Sequence, residues 1–309
     1  MRSTSAGAAL GLLALALAAA AQGAGTWRAA APLPAGRTEV AGAALEDRVY
    51  VVGGFGGGDR VEAYDPAADR WERRAPLPVS VHHAAAAAVG GRLFVVGGYS
   101  GVMWRALESV FEYAPAEDRW RPRAPLPTAR GALAAAVVDG RIYAVGGVGR
   151  DGQNTGALEV YDPAADRWAA RAPMPTPRDH HAAAVVDGRL HVVGGRLGGN
   201  YARNLAIHEV YDPARDTWGT RAPLATARSG IAAAVLGRRI FVFGGEGPRG
   251  TFGQVEGYAV DADRWTGYAP MPTPRHGLAA VTHGGRIYVL SGGPRPGGSF
   301  SAANEVFTP

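Results

Sequence analysis

Six tryptophans, Trp27, Trp71, Trp120, Trp168, Trp218 and Trp265, recur about every 48 residues in this 309-residue chain. Each lies 26 residues before the first position of a small-residue pair: Gly53-Gly54, Gly97-Gly98, Gly146-Gly147, Gly194-Gly195, Gly244-Gly245 and Ser291-Gly292. Tyr64, Tyr113, Tyr161, Tyr211 and Tyr258 each lie 7 residues before the next Trp, and Phe307 takes the sixth such place. From pair to next Trp the distances are 18, 23, 22, 24 and 21, so length varies in one connection per repeat. An internal period of this size overrides the two-domain expectation that length alone would suggest.

Each repeat reads as four short strands. Strand a is an Ala/Val run such as Ala182-Ala183-Ala184-Val185-Val186, strand b ends in the small-residue pair, strand c carries the Tyr and strand d the Trp. Asp139-Gly140 and Asp187-Gly188 suit two-residue hairpin turns, which need positive φ. No helical periodicity is present after Ala21. Four-stranded units at this period predict an all-β, six-bladed β-propeller. The sixth repeat ends at Pro309 without its own strand d, and Trp27 has no strand c before it. The prediction is that the N-terminal strand around Trp27 pairs with Glu305-Val306-Phe307 and closes the ring, removing exposed sheet edges.

The glycine pair, the Tyr and Trp at fixed offsets, and an Arg opening strand a (Arg37, Arg130, Arg178, Arg228, Arg275) resemble the kelch family from Trp27 to Pro309. Val81 replaces that Arg in the second repeat, and Ser291 replaces the first glycine in the sixth. The resemblance implies a binding propeller, with a sugar-active enzyme of the sialic-acid mutarotase or epimerase kind as the alternative. It also brings in the kelch-type galactose oxidases, but their cross-linked Cys–Tyr ligand is impossible here: the chain has no cysteine. Disulfides, thiolate metal sites and a Cys nucleophile are excluded for the same reason.

Residues 1–24 read as a secretory signal: Arg2, an uncharged Ala/Leu run from Ala8 to Ala21, then small residues. The mature domain is expected to be 25–309, secreted or periplasmic, with no membrane span after signal removal, and to act as a monomer. All 32 basic residues are arginine and the net charge is +5. More than half of the arginines fall at recurring repeat positions spread around the ring. No nucleic-acid partner is therefore expected.

Antiparallel strands alternate direction, so the b–c and d–a connections share one face of the disc. The variable b–c loops mark it as the binding face. The candidate ligand-binding residues are Tyr99, Trp104, Arg105, Arg150, Asn154, Arg196, Asn200, Tyr201, Arg203, Glu246, Arg249 and Arg295. Arg and aromatic residues are typical anchors for a protein, peptide or glycan. Trp104 is the one Trp outside the repeat position. Glu39, His82, His83, Asp179, His180 and His276 are placed at the channel mouth. These imidazoles are expected to be solvated rim groups, with no metal and no cofactor assigned. No catalytic residues are assigned. Asp69, Asp118, Asp166, Asp216 and Asp263, and Glu62, Glu159, Glu209, Glu256 and Glu305, recur with the repeat, so they are expected to be structural. One active site would need a set that breaks the repeat.

Overall fold

The computed structural model describes residues 25–309 except 102 and 103; the segment read as an export signal lies outside the described residues. Blade 1 consists of Ala41–Leu45, Arg48–Val52, Val61–Asp65 and Arg70–Arg73, antiparallel and paired in that order. The same order recurs in blades 2 to 5, spanning 85–122, 134–171, 182–220 and 232–268. In blade 6, Ala279–His283, Arg286–Leu290 and Asn304–Thr308 are completed by Thr26–Ala29. Trp27 is opposite Phe307 and Thr26 opposite Thr308, so the ring closes as the sequence predicts. Strand a of every blade touches strand a of both neighbours, which sets six blades around one axis.

The composition of each strand follows its place in this ring. Strands a converge on the axis, where only small side chains fit, hence the alanine runs. Strand b is covered on both faces by neighbouring blades, and reads as a near-continuous apolar run such as Val49-Tyr50-Val51-Val52. Strand d is the outer edge and carries exposed polar residues. Asp139-Gly140 and Asp187-Gly188 form their a–b turns with positive φ throughout.

The periodic residues tie strands and linkers together. Every repeat Trp donates its Nε1–H to the carbonyl of the Ala in an Ala-Pro linker at 2.7–3.0 Å: Trp27 to Ala269, Trp71 to Ala31, Trp120 to Ala75, Trp168 to Ala124, Trp218 to Ala172 and Trp265 to Ala222. Each periodic Asp accepts from the strand-c Tyr hydroxyl and from a linker N–H, as Asp166 does from Tyr161 and Ala124. The five strand-opening arginines are fully buried, each paired with the strand-c glutamate of its own blade. Periodic carboxylates are therefore scaffold, as expected.

Both repeat departures have local reasons. Blade 2 lacks the glutamate as well as the arginine: Phe111 stands in its place and shares an apolar cluster with Val81. Ser291 adopts φ 60°, the conformation the first glycine adopts elsewhere, and its hydroxyl donates to the Arg37 carbonyl at 2.7 Å.

Candidate functional site

On the loop face, six residues in left-handed conformation encircle the axis. Glu39, His83, Ala132, His180, Gly230 and Gly277 have φ of 54°, 54°, 53°, 52°, 64° and 59°. From His83 onward, each amide donates to the carbonyl of the member before it, at 2.9–3.1 Å, and Val40 closes the circle onto Gly277 at 3.3 Å. Four of the six carry a Cβ in a conformation that costs roughly 1–2 kcal/mol per non-glycine residue. Strain of this kind clusters where side chains are held for a purpose.

One residue earlier in each blade, Thr38, His82, Gly131, Asp179, Ser229 and His276 pair with the residue after the glycine pair: Phe55, Tyr99, Val148, Arg196, Glu246 and Gly293. Three positions per blade thus converge on the mouth. The backbone repeats while the side chains do not. Blade 3 contributes only Gly131, Ala132 and Val148, whereas blades 2 and 4 contribute two His, a Tyr, an Asp, a third His and an Arg.

Arg196 organises the charged half. Its Nε donates to Asp179 Oδ1 at 3.2 Å, Nη1 to Glu246 Oε1 at 2.6 Å, and Nη2 lies 2.8 Å from His180 Nε2. His180 Nδ1 faces Asp179 Oδ1 at 2.5 Å. Asp179 Oδ2 also accepts from Asn154 Nδ2 at 2.6 Å and the Gly199 amide at 3.1 Å. Burial alone would raise Asp179, but the His180 and Asn154 hydrogen bonds and the Arg196 charge outweigh it and hold the carboxyl well below the usual range. Burial is likewise outweighed at Glu246, by His276 and Arg196. Glu39 Oε2 lies 3.4 Å from His83 Nε2, and Glu39 Oε1 lies 3.5 Å from His276 Nε2.

The other half is aromatic. Phe55 stacks on His82 with centroids 4.0 Å apart, and Trp104 lies within 5.5 Å of Phe55, His82, His83 and Tyr99. Trp104 is 46% exposed and has φ 52°, a strained conformation for a bulky residue. Burial lowers His82 to about 4 and His83 well below its ordinary value, with His180, His82, Arg196 and His276 adding to the effect on His83.

The expectation of solvated imidazoles is therefore corrected: His82, His83, His180 and His276 are all buried, His276 to 1% exposure. The ring of backbone hydrogen bonds pulls strands a so close that little solvent reaches them. A recess of about 390 Å³ brings together Tyr99, Trp104, Arg150, Asp179, His180 and Arg196 over a glycine-rich wall. Asn154 spends its amide on Asp179 and the Gly198 amide. Tyr201 and Arg249 line a separate recess of about 590 Å³ with Asn204 and Phe252. Asn200 binds the amide of Ala202, and Arg105, Arg203 and Arg295 are exposed and line neither recess. Phe55 is absent from the sequence-based candidates. Phe55 occupies the same repeat position as Tyr99, Arg196 and Glu246, and that index identifies it.

A six-bladed propeller with a polar, strained mouth on its loop face is the class of protein that these features define. The sequence matches the KLHDC2/KLHL20/DRC7 Kelch-repeats domain over residues 83–293 and the Kelch motif over 36–78. The chain belongs to the kelch-repeat family, whose propellers often bind proteins. Among solved structures it is similar to one titled "Structure of YjhT", with a TM-score of 0.79 and 16% identity, over 88% of this chain and 95% of that one. No curated protein matches it. Among the described residues, no helix is long and apolar enough to cross a membrane.

Proposed function

We propose that this chain is an exported, non-enzymatic binding propeller that takes a carbohydrate at the recess walled by Trp104. The observation that carries this reading is the exposed, strained Trp104 beside Tyr99, Arg150 and the Asp179–Arg196 pair in a cavity of about 390 Å³. Small-molecule sites have volumes of roughly 300–1,000 Å³, lined by aromatic groups and a few fixed polar ones. An exposed indole offers a flat apolar face to a sugar ring, and Arg196, held by Asp179, together with Arg150 offers oriented donors beside it. Export rests on the Ala8–Ala21 segment, and signal removal before residue 25 leaves the closing strand Thr26–Ala29 intact.

A glycan array followed by calorimetry tests this directly. Trp104→Ala is expected to weaken the detected glycan at least tenfold without altering the fold. Undiminished binding in that variant removes the recess from consideration.

One observation favours a second reading, a sugar-active enzyme. The Asp179–His180 pair places an oriented imidazole beside Arg196 on the recess wall. His180 Nε2 faces Arg196, so the ring can move a proton between sugar oxygens only where a bound ligand draws Arg196 away. Anomeric exchange of free sugars, followed by NMR, distinguishes this from binding alone.

A further inference from the structure

We infer that Glu39, Glu246 and His276 form a binding site for one divalent transition-metal ion at the mouth of the axis. The three residues come from blades 1, 5 and 6, and their donor atoms lie within 4.8 Å of one another.

The orientation of His276 carries the argument. Its Nδ1 lies 3.0 Å from the Gly293 carbonyl oxygen, which can only accept, so Nδ1 bears the proton. With Nδ1 committed there, Nε2 is the nitrogen directed at two carboxylate oxygens: Glu39 Oε1 at 3.5 Å and Glu246 Oε2 at 3.6 Å. Both separations are longer than a hydrogen bond. Nε2 and the two carboxylate oxygens face one another at the mouth, and a cation between them would bind all three. Ligands about 2.1 Å from a tetrahedral ion are separated by about 3.4 Å, close to the spacing seen. Fixing one imidazole nitrogen on a backbone carbonyl is also how proteins aim the other nitrogen at a metal.

The surroundings are consistent with this. Glu246 Oε1 is held by Arg196 and its Oε2 receives the Gly297 amide at 3.1 Å, which orients the carboxylate and leaves a lone pair free. Three carboxyl groups, those of Asp179, Glu39 and Glu246, share the mouth with the one buried guanidinium of Arg196. The ring positions beside the donors are glycines. A Cβ on Gly277 would come within 2.6 Å of the Glu39 carboxyl, and one on Gly230 within 3.2 Å of His276 Cβ. The other grouping, Glu39 with His83 and His180, is less suited, because Arg196 already occupies His180 Nε2. One imidazole nitrogen and two carboxylates suit a borderline ion such as Zn²⁺ or Co²⁺ and leave a fourth position for a ligand or water. The site does not depend on the sugar reading, because the ion alone is the probe.

The test uses the mature chain stripped with chelator. Calorimetry with Zn²⁺ is expected to show uptake of one ion per chain, with a matching rise in melting temperature. Co²⁺ is expected to give visible absorption bands of four-coordinate nitrogen and oxygen ligation. Glu39→Gln and His276→Ala are each expected to weaken Zn²⁺ at least tenfold, while His283→Ala, on the opposite side of blade 6, leaves it unchanged. The wild-type spectrum requires no variant: absence of both Co²⁺ bands and stoichiometric Zn²⁺ uptake overturns the site, and the cation between the three groups is then only a proton. Uptake that survives both Glu39→Gln and His276→Ala overturns it equally.

Discussion

Val81 packs in the same buried apolar cluster as Phe111, and together they replace the arginine–glutamate pair that each other blade buries. The exchange is of both partners at once, which avoids the cost of a lone buried charge. It predicts the outcome of a swap in blade 4. Arg178→Val alone leaves Glu209 uncompensated and should cost about 3–5 kcal/mol. Adding Glu209→Phe, the blade 2 solution, should recover most of that loss. Urea unfolding of the two variants measures it, and a double variant no more stable than the single one refutes the equivalence.

Ring closure depends on few residues. Trp27 donates to the Ala269 carbonyl at 3.0 Å and packs on Phe307 with centroids 4.9 Å apart. Trp27 is half-buried on the outer strand, so Trp27→Ala is expected to cost about 2–3 kcal/mol, below the value for a fully buried aromatic. Deleting Thr26 and Trp27 should go further and abolish the cooperative melting transition. A deletion variant that melts at the parental temperature would show that the ring closes some other way.

Buried histidines make the fold acid-sensitive. His191 and His208 share a hydrogen bond at 2.9 Å in blade 4, and burial, the leading cause, lowers them to about 4 and about 3. Unfolded histidine titrates near 6.5. Between about pH 6.5 and 4, the unfolded chain therefore binds protons that the folded chain does not. Stability is fully present above pH 6.5 and falls as the pH drops through that window. Other blades place Phe94 or Phe241 where His191 stands, and Val61 or Val255 where His208 stands. The double replacement His191→Phe with His208→Val should flatten the decline in melting temperature over this range.

Two arginines of the loop face should respond differently to loss. Arg196 is buried between Asp179 and Glu246, so Arg196→Ala strands two carboxylates and should cost about 3–5 kcal/mol. Arg150 pairs with Glu108 in the open, and exposed pairs contribute about 0–1 kcal/mol. Arg150→Ala should leave the melting temperature nearly unchanged. Equal effects in the two variants would contradict the burial of Arg196.

The ring was legible because its restraints are local and periodic. The Trp and the small-residue pair make the same bonds in all six blades, and the Tyr and the Asp two residues before the Trp make theirs in five, so the spacing alone announced six blades and the closing role of Trp27. The mouth was legible only in part. Direction reversal along each blade put Glu39, His82, His83, Asp179, His180 and His276 on one face. It could not give their depth, because solvent access depends on how closely six strands approach the axis. Arg196 illustrates the same limit: the sequence places it in a loop, and only the fold turns it inward to join Asp179, His180 and Glu246.

The sequence by itself determined the blade count, the closure and which connections share one face, since each follows from spacing and strand direction. Tertiary structure alone decided which side chains meet across blades. Residues 39, 246 and 276 converge because a closed ring brings distant repeats side by side at its axis, and no spacing along the chain encodes that distance.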